Sequence, residues 1–269
     1  MKPKRILSMG AGVQSTTLLR MMIRGEIERP EHVVFSDTGW EPPAVYNHLQ
    51  QVRKEAESAG IPFHVVNNGN IRNDALDPTK RSASMPLFLK KPSGEIVIAN
   101  RQCTAEYKLQ PLIRKQAELV GLQPRQRSSD HLVTTIIGIS WDESQRMKDP
   151  SRKWIRHEYP LVDLRLTRHD CIRWNVDHGF TVPPRSSCVG CPFHSNAEWR
   201  TVRDDPKAWQ SAVEFDRKLR EGHFVKLFAP STAFLHREGK PLSEVDIRSE
   251  EERGQMTLFD LECEGMCGN

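Results

Sequence analysis

Residues 5–24 have the sequence RILSMGAGVQSTTLLRMMIR, and the order of patterns in this stretch decides the fold. Arg5–Ser8 is typical of a short buried strand, and Ser15–Arg24 is typical of a helix with apolar residues on one side. Between them, Gly10 and Gly12 have no side chain and let backbone N–H groups approach an anion closely. The first turn of a helix adds free N–H groups and a favourable dipole. The stretch therefore predicts a phosphate-binding loop; the alternative is a plain glycine-rich turn in which a serine caps the helix.

Strand and helix patterns continue to alternate beyond this stretch. The predicted elements are strands at His32–Phe35, Pro62–Val66 and Leu132–Ile139, and helices at Pro43–Ala59, Glu106–Val120, Thr167–His178 and Pro206–Glu221. This alternation indicates an α/β fold with a parallel sheet and helices on both faces. We predict a nucleotide-binding domain at residues 1–200 and a helical, cysteine-bearing C-terminal extension at residues 201–269. Asn67–Asn100 is predicted to be a long irregular insertion.

Composition and charge exclude several classes of protein. The chain has 269 residues, of which 37% are hydrophobic, which is enough for a core and argues against a disordered chain. No apolar stretch is long enough to span a bilayer, so we expect a cytoplasmic protein that does not contact the membrane. The net charge of +4 permits an anionic partner without indicating one. Short basic runs with few aromatic neighbours make a nucleic-acid partner only a weak prediction.

A carboxylate follows the second predicted strand. Asp37 ends that strand at the same edge of the sheet as the glycine-rich loop, because the connections between parallel strands are right-handed crossovers. The side chain could accept hydrogen bonds from a nucleotide, or it could accept them from its own turn. The sequence leaves both alternatives open.

The cysteines suggest metal or redox chemistry, since a disulfide framework is not expected in a cytosolic chain of this size. Six are present: Cys103, Cys171, Cys188, Cys191, Cys263 and Cys267. Cys188 and Cys191 have the C-x-x-C spacing that presents two thiolates to one metal, and Cys103 is predicted to lie at the same edge of the fold. The fourth ligand could be His194, Cys171, Cys263 or Cys267. For Cys171, which lies in a helical pattern, we favour a buried structural thiol over a ligand.

Several motifs, taken together and in order, resemble those of the PP-loop superfamily, and in particular the phosphoadenosine phosphosulfate (PAPS) reductase-like family. They are Gly12-Val13-Gln14-Ser15, Asp37-Thr38-Gly39-Trp40-x-x-Pro43-x-x-Tyr46, Arg101-x-Cys103-Thr104-x-x-Tyr107-Lys108, Gly138-Ile139-x-x-Asp142-Glu143-Ser144-x-Arg146 and Cys188-x-x-Cys191-Pro192. They span roughly residues 6 to 195, and one motif alone would be a weak signal.

The resemblance implies a Rossmann-like fold of the adenine nucleotide α-hydrolase type, which binds an adenine nucleotide, either ATP or PAPS. The implied nucleotide-binding residues are Ser8, Gly10, Ala11, Gly12, Gln14, Ser15, Thr16, Asp37, Thr38, Gly39, Gly138 and Glu143. Lys108 and Arg146 are implied to face the anion and to be catalytic. A polyanion needs backbone donors and a few fixed cations, so these roles are physically coherent.

Two departures from the family pattern matter. Gln14 stands where ATP-cleaving members carry an aspartate, which argues against magnesium-assisted ATP cleavage because Mg²⁺ prefers carboxylate oxygen. The reductase branch also carries glutamine there. Ser140 stands where the family usually has arginine, so one contact with the anion is lost or is supplied by Arg101, Arg114 or Arg146.

The resemblance also bears on the cysteines. Some family members hold a [4Fe–4S] cluster, and we favour such a cluster at Cys103, Cys188, Cys191 and His194 over a zinc ion or an unmetallated redox pair. Sulfonucleotide reductases end in a mobile Glu-Cys-Gly tail, which Glu262-Cys263 loosely resembles, so Cys263 is the candidate nucleophile. The alternative is a tail that folds back to ligate the metal.

Three functions are therefore compared. The leading one is a PAPS reductase-like enzyme that uses sulfur or redox chemistry and a thiol reductant. The second is an ATP-dependent sulfur-insertion enzyme of the tRNA- or DNA-thiolation type, for which a cysteine desulfurase would be the sulfur-supplying partner. The third, from a different class, is a non-catalytic, zinc-stabilised nucleotide-binding module.

Overall fold

The computed structural model describes residues 2–80, 84–249 and 252. The strands in it are β1 (Lys4–Met9), β2 (His32–Asp37), β3 (Phe63–Asn67), β4 (Phe88–Lys90), β5 (Ile96–Ile98), β6 (Val133–Ile137), β7 (Ile155–Glu158) and β8 (Thr232–Phe234). The α-helices are α1 (Val13–Arg24), α2 (Pro43–Ser58), α3 (Ile71–Leu76), α4 (Gln110–Leu119), α5 (Pro160–Asp163), α6 (Arg168–Asp177), α7 (Asn196–Arg203), α8 (Pro206–Lys218) and α9 (His223–Phe228). A π-helical segment covers Thr104–Leu109, and 3₁₀ segments cover Trp141–Arg146 and Leu242–Glu244.

Five strands form one sheet in the order β3-β2-β1-β6-β7, and every neighbouring pair is parallel. The α/β class and the parallel sheet predicted from the sequence are thereby confirmed. β1 is central because β2 and β6 flank it, and a strand covered on both faces needs apolar residues on both. Its Leu7 and Ile6 are both fully buried, on opposite faces of the sheet.

Helices cover both faces of this sheet. On one face, Leu7 and Met9 of β1 pack with apolar residues from α1, α2 and α6. On the other face, Ile6 packs with Leu112 of α4 and with Trp154. The two sets of residues alternate along the strands, as the period of two in a β-strand requires.

The strand register brings several chain ends to one edge of the sheet. Met9 pairs with Phe35 and Ser8 pairs with Ile137, so the chain leaves β1, β2 and β6 at the same level. Asp37, at the end of β2, pairs with Asn67 of β3. The segments after these strands therefore lie side by side at the carboxyl edge, as expected for parallel strands with helical crossovers.

A buried polar network holds α1 against its neighbours. Arg20, which is 2% exposed, donates to both carboxylate oxygens of Glu55 on α2, at 2.9 and 2.8 Å. It also donates to Asn175 of α6 at 2.6 Å, and its guanidinium lies 3.9 Å from the ring centroid of Phe180. Because a buried charge needs a partner and satisfied donors, this network fixes α1 between α2 and α6.

A second sheet is antiparallel, with the order β5-β4-β8. Asp216 of α8 lies next to it and is 1% exposed. Its carboxylate accepts from the backbone N–H groups of Leu235 and Leu242 and from Arg220, at 2.8, 2.9 and 2.8 Å. One carboxylate thus ties α8 to the chain after β8.

The chain divides into two compact units that alternate along the sequence. One unit comprises Met1–Asn68 and Tyr107–Ser186, and the other comprises Gly69–Glu106 and Ser187–Asn269. The predicted division into residues 1–200 and 201–269 stays a prediction about domains. None of the described helices has the length and apolar character needed to cross a membrane.

The interpretation of Asn67–Asn100 as irregular was wrong, because α3, β4 and β5 lie within it. These elements have three to six residues, too few to show a period in the sequence. The short elements β7, α5, α9 and β8 were missed for the same reason, and the eight-residue α7 was missed although it is long enough for two helical turns.

Candidate functional site

The loop between β1 and α1 is organised around one serine. The hydroxyl of Ser15 accepts from the Gly10 N–H at 3.1 Å and lies 3.4 Å from the Gly12 carbonyl, to which it donates. Ala11 is buried and has a φ of 56°, a left-handed conformation that is unusual for a residue other than glycine. The idea that Ser15 caps the helix was wrong: α1 begins at Val13 after Gly12, and the hydroxyl bonds back to the loop instead.

The start of α1 has the character of an anion site. The first intrahelical bond runs from the Thr16 N–H to the Gly12 carbonyl at 3.1 Å, so the N–H groups of Val13, Gln14 and Ser15 precede it. Within the part of the chain that the structure describes, no side chain caps this end, and its first turn contains no acidic residue. Unshared donors and a positive dipole end therefore meet at the carboxyl edge of the sheet.

A second glycine approaches this helix end from β6. A Cβ atom placed on Gly138 would lie 2.9 Å from the Ser15 nitrogen and 3.2 Å from the Gln14 carbonyl carbon. Added atoms on Gly10 and Gly12 would instead make ordinary contacts, at 3.6 Å to the Ser15 hydroxyl and 3.7 Å to the Ser186 Cβ. The chain after β6 therefore packs against the backbone of the α1 start, and only a glycine fits there.

A carboxylate connects the loop with a cation. The Gln14 side-chain amide donates to Glu143 at 3.2 Å, and Arg146 donates to the same carboxylate oxygen at 2.7 Å. Glu143 and Arg146 both lie in the 3₁₀ segment that follows β6, and their side chains are 26% and 48% exposed. The structure thus brings together three of the predicted site residues, and it leaves Arg146 accessible to a ligand.

Asp37 accepts hydrogen bonds from its own turn, which is one of the two alternatives that the sequence left open for this side chain. One of its carboxylate oxygens accepts from the Gly39 N–H at 2.7 Å and from the Tyr46 hydroxyl at 2.9 Å. Burial, together with the nearby carboxylates, raises the pKa of Tyr46, so this hydroxyl remains a donor. Thr38 is buried and donates to Glu41 at 3.0 Å. For the other Asp37 oxygen, the described residues supply no hydrogen bond.

Lys108 lies in the π-helical segment that runs into α4. Its carbonyl accepts from the hydroxyl of Ser36 at 2.9 Å. Because Ser36 is at the end of β2, this bond places the backbone of Lys108 at the carboxyl edge, close to Asp37. π-Helical turns occur frequently at functional sites.

Two further predicted residues support the loop from within. Ser8 lies in β1 and pairs with Val34 and Ile137 on either side. Thr16 is fully buried, and its hydroxyl is 3.0 Å from the imidazole of His48. Burial and the charge of Arg20 lower the pKa of His48 to about 4, so the ring is neutral near pH 7.

His48 was missed in the sequence, although a signal for it exists. It lies three residues after Val45 and four before Val52, which are both fully buried, so the helical period places it on the inner face of α2. Ser140, at the position where the sequence resemblance led us to expect arginine, is fully buried, and no described residue bonds its hydroxyl. It supplies no charge in place of that arginine.

The cysteine turn belongs to the second unit. The Cys191 N–H donates to the Cys188 carbonyl at 3.0 Å, and the imidazole Nε2 of His194 donates to the same carbonyl at 2.8 Å. Cys103 belongs to the same unit, and Cys188 and Cys191 are each partly exposed and form no disulfide. Across residues 2–80, 84–249 and 252, no three His, Cys, Asp or Glu side chains are arranged to hold a metal ion.

The metal assignment to Cys103, Cys188, Cys191 and His194 therefore stays a prediction, and we derive no chemical step through a cluster or a zinc ion. Cys263, the predicted nucleophile, lies outside the described residues, as does Cys267. Cys171 is fully buried in α6, as predicted for a structural thiol, and this burial raises its pKa to about 12.

Comparison with known proteins gives a structural likeness alone. No family model matches the chain, and no curated protein sequence matches it. The chain is similar in structure to a phosphoadenylyl-sulfate (PAPS) reductase from Candida auris, solved as a phosphate complex. The TM-score is 0.43 and the sequence identity 15%, over 68% of this chain and 76% of that one. At this level of similarity, function has to be argued from the residues of this chain.

Proposed function

We propose that the start of α1 binds the phosphate groups of an adenine nucleotide, and that the chain is a PAPS reductase-like enzyme. The observation that carries the proposal is the helix end itself: the N–H groups of Val13, Gln14 and Ser15 precede the first intrahelical bond at the carboxyl edge of a parallel sheet. Open α/β sheets bind their ligands at this edge, and a helix N-terminus favours a phosphate.

The neighbouring side chains supply the remaining contacts of the proposed site. When the nucleotide binds, Arg146 gives up its hydrogen bond to Glu143 and donates to a phosphate oxygen instead. Glu143 continues to accept from the side-chain amide of Gln14. Lys108, whose carbonyl accepts from Ser36 near the end of β2, adds a second cation. The second carboxylate oxygen of Asp37 accepts from a hydroxyl of the nucleotide sugar. Each of these is a charge-assisted hydrogen bond, the strong class in proteins.

The proposed chemistry is a sulfonucleotide reduction. A cysteine thiolate, for which Cys263 is the candidate, attacks the sulfur of PAPS; an S–S bond forms and the S–O bond to the nucleotide phosphate breaks. The nucleotide leaves as adenosine bisphosphate, and the enzyme keeps a thiosulfonate. Two thiols of a reductant then become a disulfide, release sulfite and restore the cysteine thiolate. Gln14 in place of an aspartate is consistent with a nucleotide that is not hydrolysed through Mg²⁺.

Nucleotide binding is tested by calorimetry and thermal unfolding with PAPS, ATP and AMP. A ligand at a hundredfold excess over its Kd should stabilise the fold by about 2.7 kcal/mol. Arg146→Gln should weaken binding about tenfold or more, because it removes a charge-assisted bond. Arg173→Gln is the matched control, since Arg173 is also exposed and pairs with a carboxylate three residues away. No stabilisation by any of the three nucleotides would remove the proposed site.

The reaction is tested separately, by measuring sulfite released from PAPS in the presence of thioredoxin or dithiothreitol. Release that disappears in Cys263→Ser, while PAPS still binds, is the expected result. If PAPS binds and no donor yields sulfite, the nucleotide site stands and the reductase activity is wrong.

Metal content is measured on protein purified without oxygen, for the parent chain and Cys188→Ser. Iron and acid-labile sulfide that are lost in the variant would support a cluster at the predicted cysteines. About one zinc per chain and no iron would make these cysteines a structural clip.

A further inference from the structure

One surface of the first unit is not used by the proposed nucleotide site. Trp141 and Leu164 are exposed by 47% and 51%, large fractions for apolar side chains of this size. All six tryptophans lie among the described residues, and Trp141 alone is exposed to this extent. The guanidinium of Arg165 lies 5.8 Å from the centroid of the Trp141 ring. We call these three residues the stacking surface.

Hydrogen bonds to backbone groups hold the segments of the stacking surface in place. The Trp141 N–H donates to the Leu166 carbonyl at 2.8 Å, which joins the 3₁₀ segment to the chain after α5. The hydroxyl of Tyr159, at the start of α5, donates to the Lys148 carbonyl at 2.9 Å and accepts from the Lys148 N–H at 3.2 Å. The indole is therefore presented by two joined elements, and it lies three residues after Gly138, which touches the start of α1.

Arg165 occupies a backbone position that suits glycine. It follows α5 with a φ of 56°, and its N–H donates to the Val162 carbonyl at 3.0 Å. The Leu166 N–H donates to the Leu161 carbonyl at 2.8 Å. These two bonds are those of a Schellman motif, in which glycine is the usual residue at this position. Arginine adopts here a left-handed conformation that glycine adopts without strain, so a glycine substitution removes the side chain and leaves the turn intact.

Cations and carboxylates are mixed around the surface. Asp142 accepts from the Arg168 N–H at 3.0 Å and Glu143 from Arg146, so these two carboxylates are engaged. In the described part of the chain, Lys148 and Arg165 have no acidic partner within ion-pair distance. Asp149 and Asp163 are exposed nearby, which keeps the net charge small. Stacking must therefore supply most of the affinity.

We propose that the stacking surface binds an unpaired base of single-stranded nucleic acid, with Lys148 and Arg165 contacting its backbone. An exposed indole beside a guanidinium is the platform on which a splayed base stacks, whereas a base inside a duplex cannot reach it. A protein partner would require a continuous apolar patch around Trp141, whereas here the Arg165 guanidinium lies over the ring and charged side chains, among them Asp142 and Asp163, are exposed on the same segments. The stacking surface shares the 3₁₀ segment with Glu143 and Arg146 of the proposed phosphate site, but its own three residues have no role in that site.

The proposal is tested by titrating the protein with oligouridylate and oligothymidylate of about 12 nucleotides, labelled for fluorescence anisotropy. The emission of tryptophan is followed in the same titration. Stacking of a base on Trp141 should quench part of the emission. Trp141→Ala should weaken binding by about 5- to 150-fold, the range for the loss of one stacked base, whereas Trp141→Phe should retain much of it.

The variant Arg165→Gly distinguishes a loss of oligonucleotide binding from a loss of stability. Glycine relieves the left-handed conformation, so the thermal midpoint should stay the same or rise, while oligonucleotide affinity falls. The slope of log K against log salt should also fall by about 0.7 for the lost phosphate contact. Arg173→Gln, on the exposed face of α6, should change neither quantity.

Three results would overturn the proposal. The first is no binding of either oligonucleotide at low salt, and the second is binding that Trp141→Ala leaves unchanged. The third is quenching by ATP or AMP that the oligonucleotides do not produce, which would assign the indole to the mononucleotide. Thermal stabilisation by PAPS or ATP is measured on the same samples, so a failure here is distinguishable from a failure of the phosphate site.

Discussion

The close approach of Gly138 to α1 makes a sharp prediction for the variant Gly138→Ala. The new methyl group would lie 2.9 Å from the Ser15 nitrogen and 3.0 Å from its Cα, where ordinary contacts begin at 3.4 Å. The neighbours are backbone atoms of a helix end, which cannot rotate away as a side chain can. The start of α1 or the chain after β6 must therefore move by about 0.5 Å.

Two effects follow from that displacement. Overpacking of a well-packed site costs about 1–3 kcal/mol of unfolding free energy. In a chain of this size, each kcal/mol lowers the thermal midpoint by about 2–4 °C. The same shift moves the N–H donors of Gln14 and Ser15, so nucleotide affinity should fall about tenfold even where the protein remains folded.

Thermal unfolding and calorimetry with PAPS measure the two effects, and Gly10→Ala is the control. A Cβ on Gly10 meets only the Ser15 hydroxyl, at 3.6 Å, and the φ of Gly10 lies outside the left-handed region. Its stability should therefore stay the same or rise by about 0.4–1 kcal/mol, because alanine restricts the unfolded chain. A Gly138→Ala protein as stable as the parent, or a Gly10→Ala protein that loses more, would refute the packing described at this edge.

Three further predictions concern stability and thiol reactivity. Burial and Arg20 lower the pKa of His48 to about 4 in the folded protein. Between pH 6.5 and 4, its imidazole is therefore protonated in the unfolded chain but neutral in the folded protein. Stability should fall by up to ~3 kcal/mol as the pH drops through this window, and His48→Gln should flatten that part of a urea-midpoint profile; an unchanged profile would contradict the burial. Asp216→Asn should cost about 3 kcal/mol in urea unfolding, since an amide cannot accept all three bonds; a loss below about 1 kcal/mol would show that the carboxylate does not hold the chain after β8. Cys171 should resist iodoacetamide at pH 8 in the folded protein and react once the protein is unfolded in urea; labelling of Cys171 in the folded protein, seen in peptide maps, would show that this thiol is accessible.

Long elements and their order were predictable from the sequence, and short ones were not. The alternation of β1, α1, β2, α2 and β3 follows from apolar periods that extend over several turns or strand residues. The elements inside Asn67–Asn100 and the four-residue β7 carry too few residues for a period, so only tertiary pairing defines them.

The candidate site was likewise predictable from the sequence only in part. The strand order along the chain predicted that Gly10 and Asp37 would lie at one edge, because parallel strands end together. The role of each group there was decided by packing. Asp37 forms its own turn with Gly39 and Tyr46, and Ser15 bonds back to the loop.

The sequence by itself determined the α/β class, the parallel sheet and the edge that carries the glycine-rich loop, since these depend on local periods and on the handedness of crossovers. The tertiary structure alone decided that Gly138 is the sterically constrained glycine, that Glu143 joins Gln14 to Arg146, and that Trp141 is exposed beside Arg165. These facts depend on distances between residues far apart in the chain, and such distances are set only when the helices and strands pack.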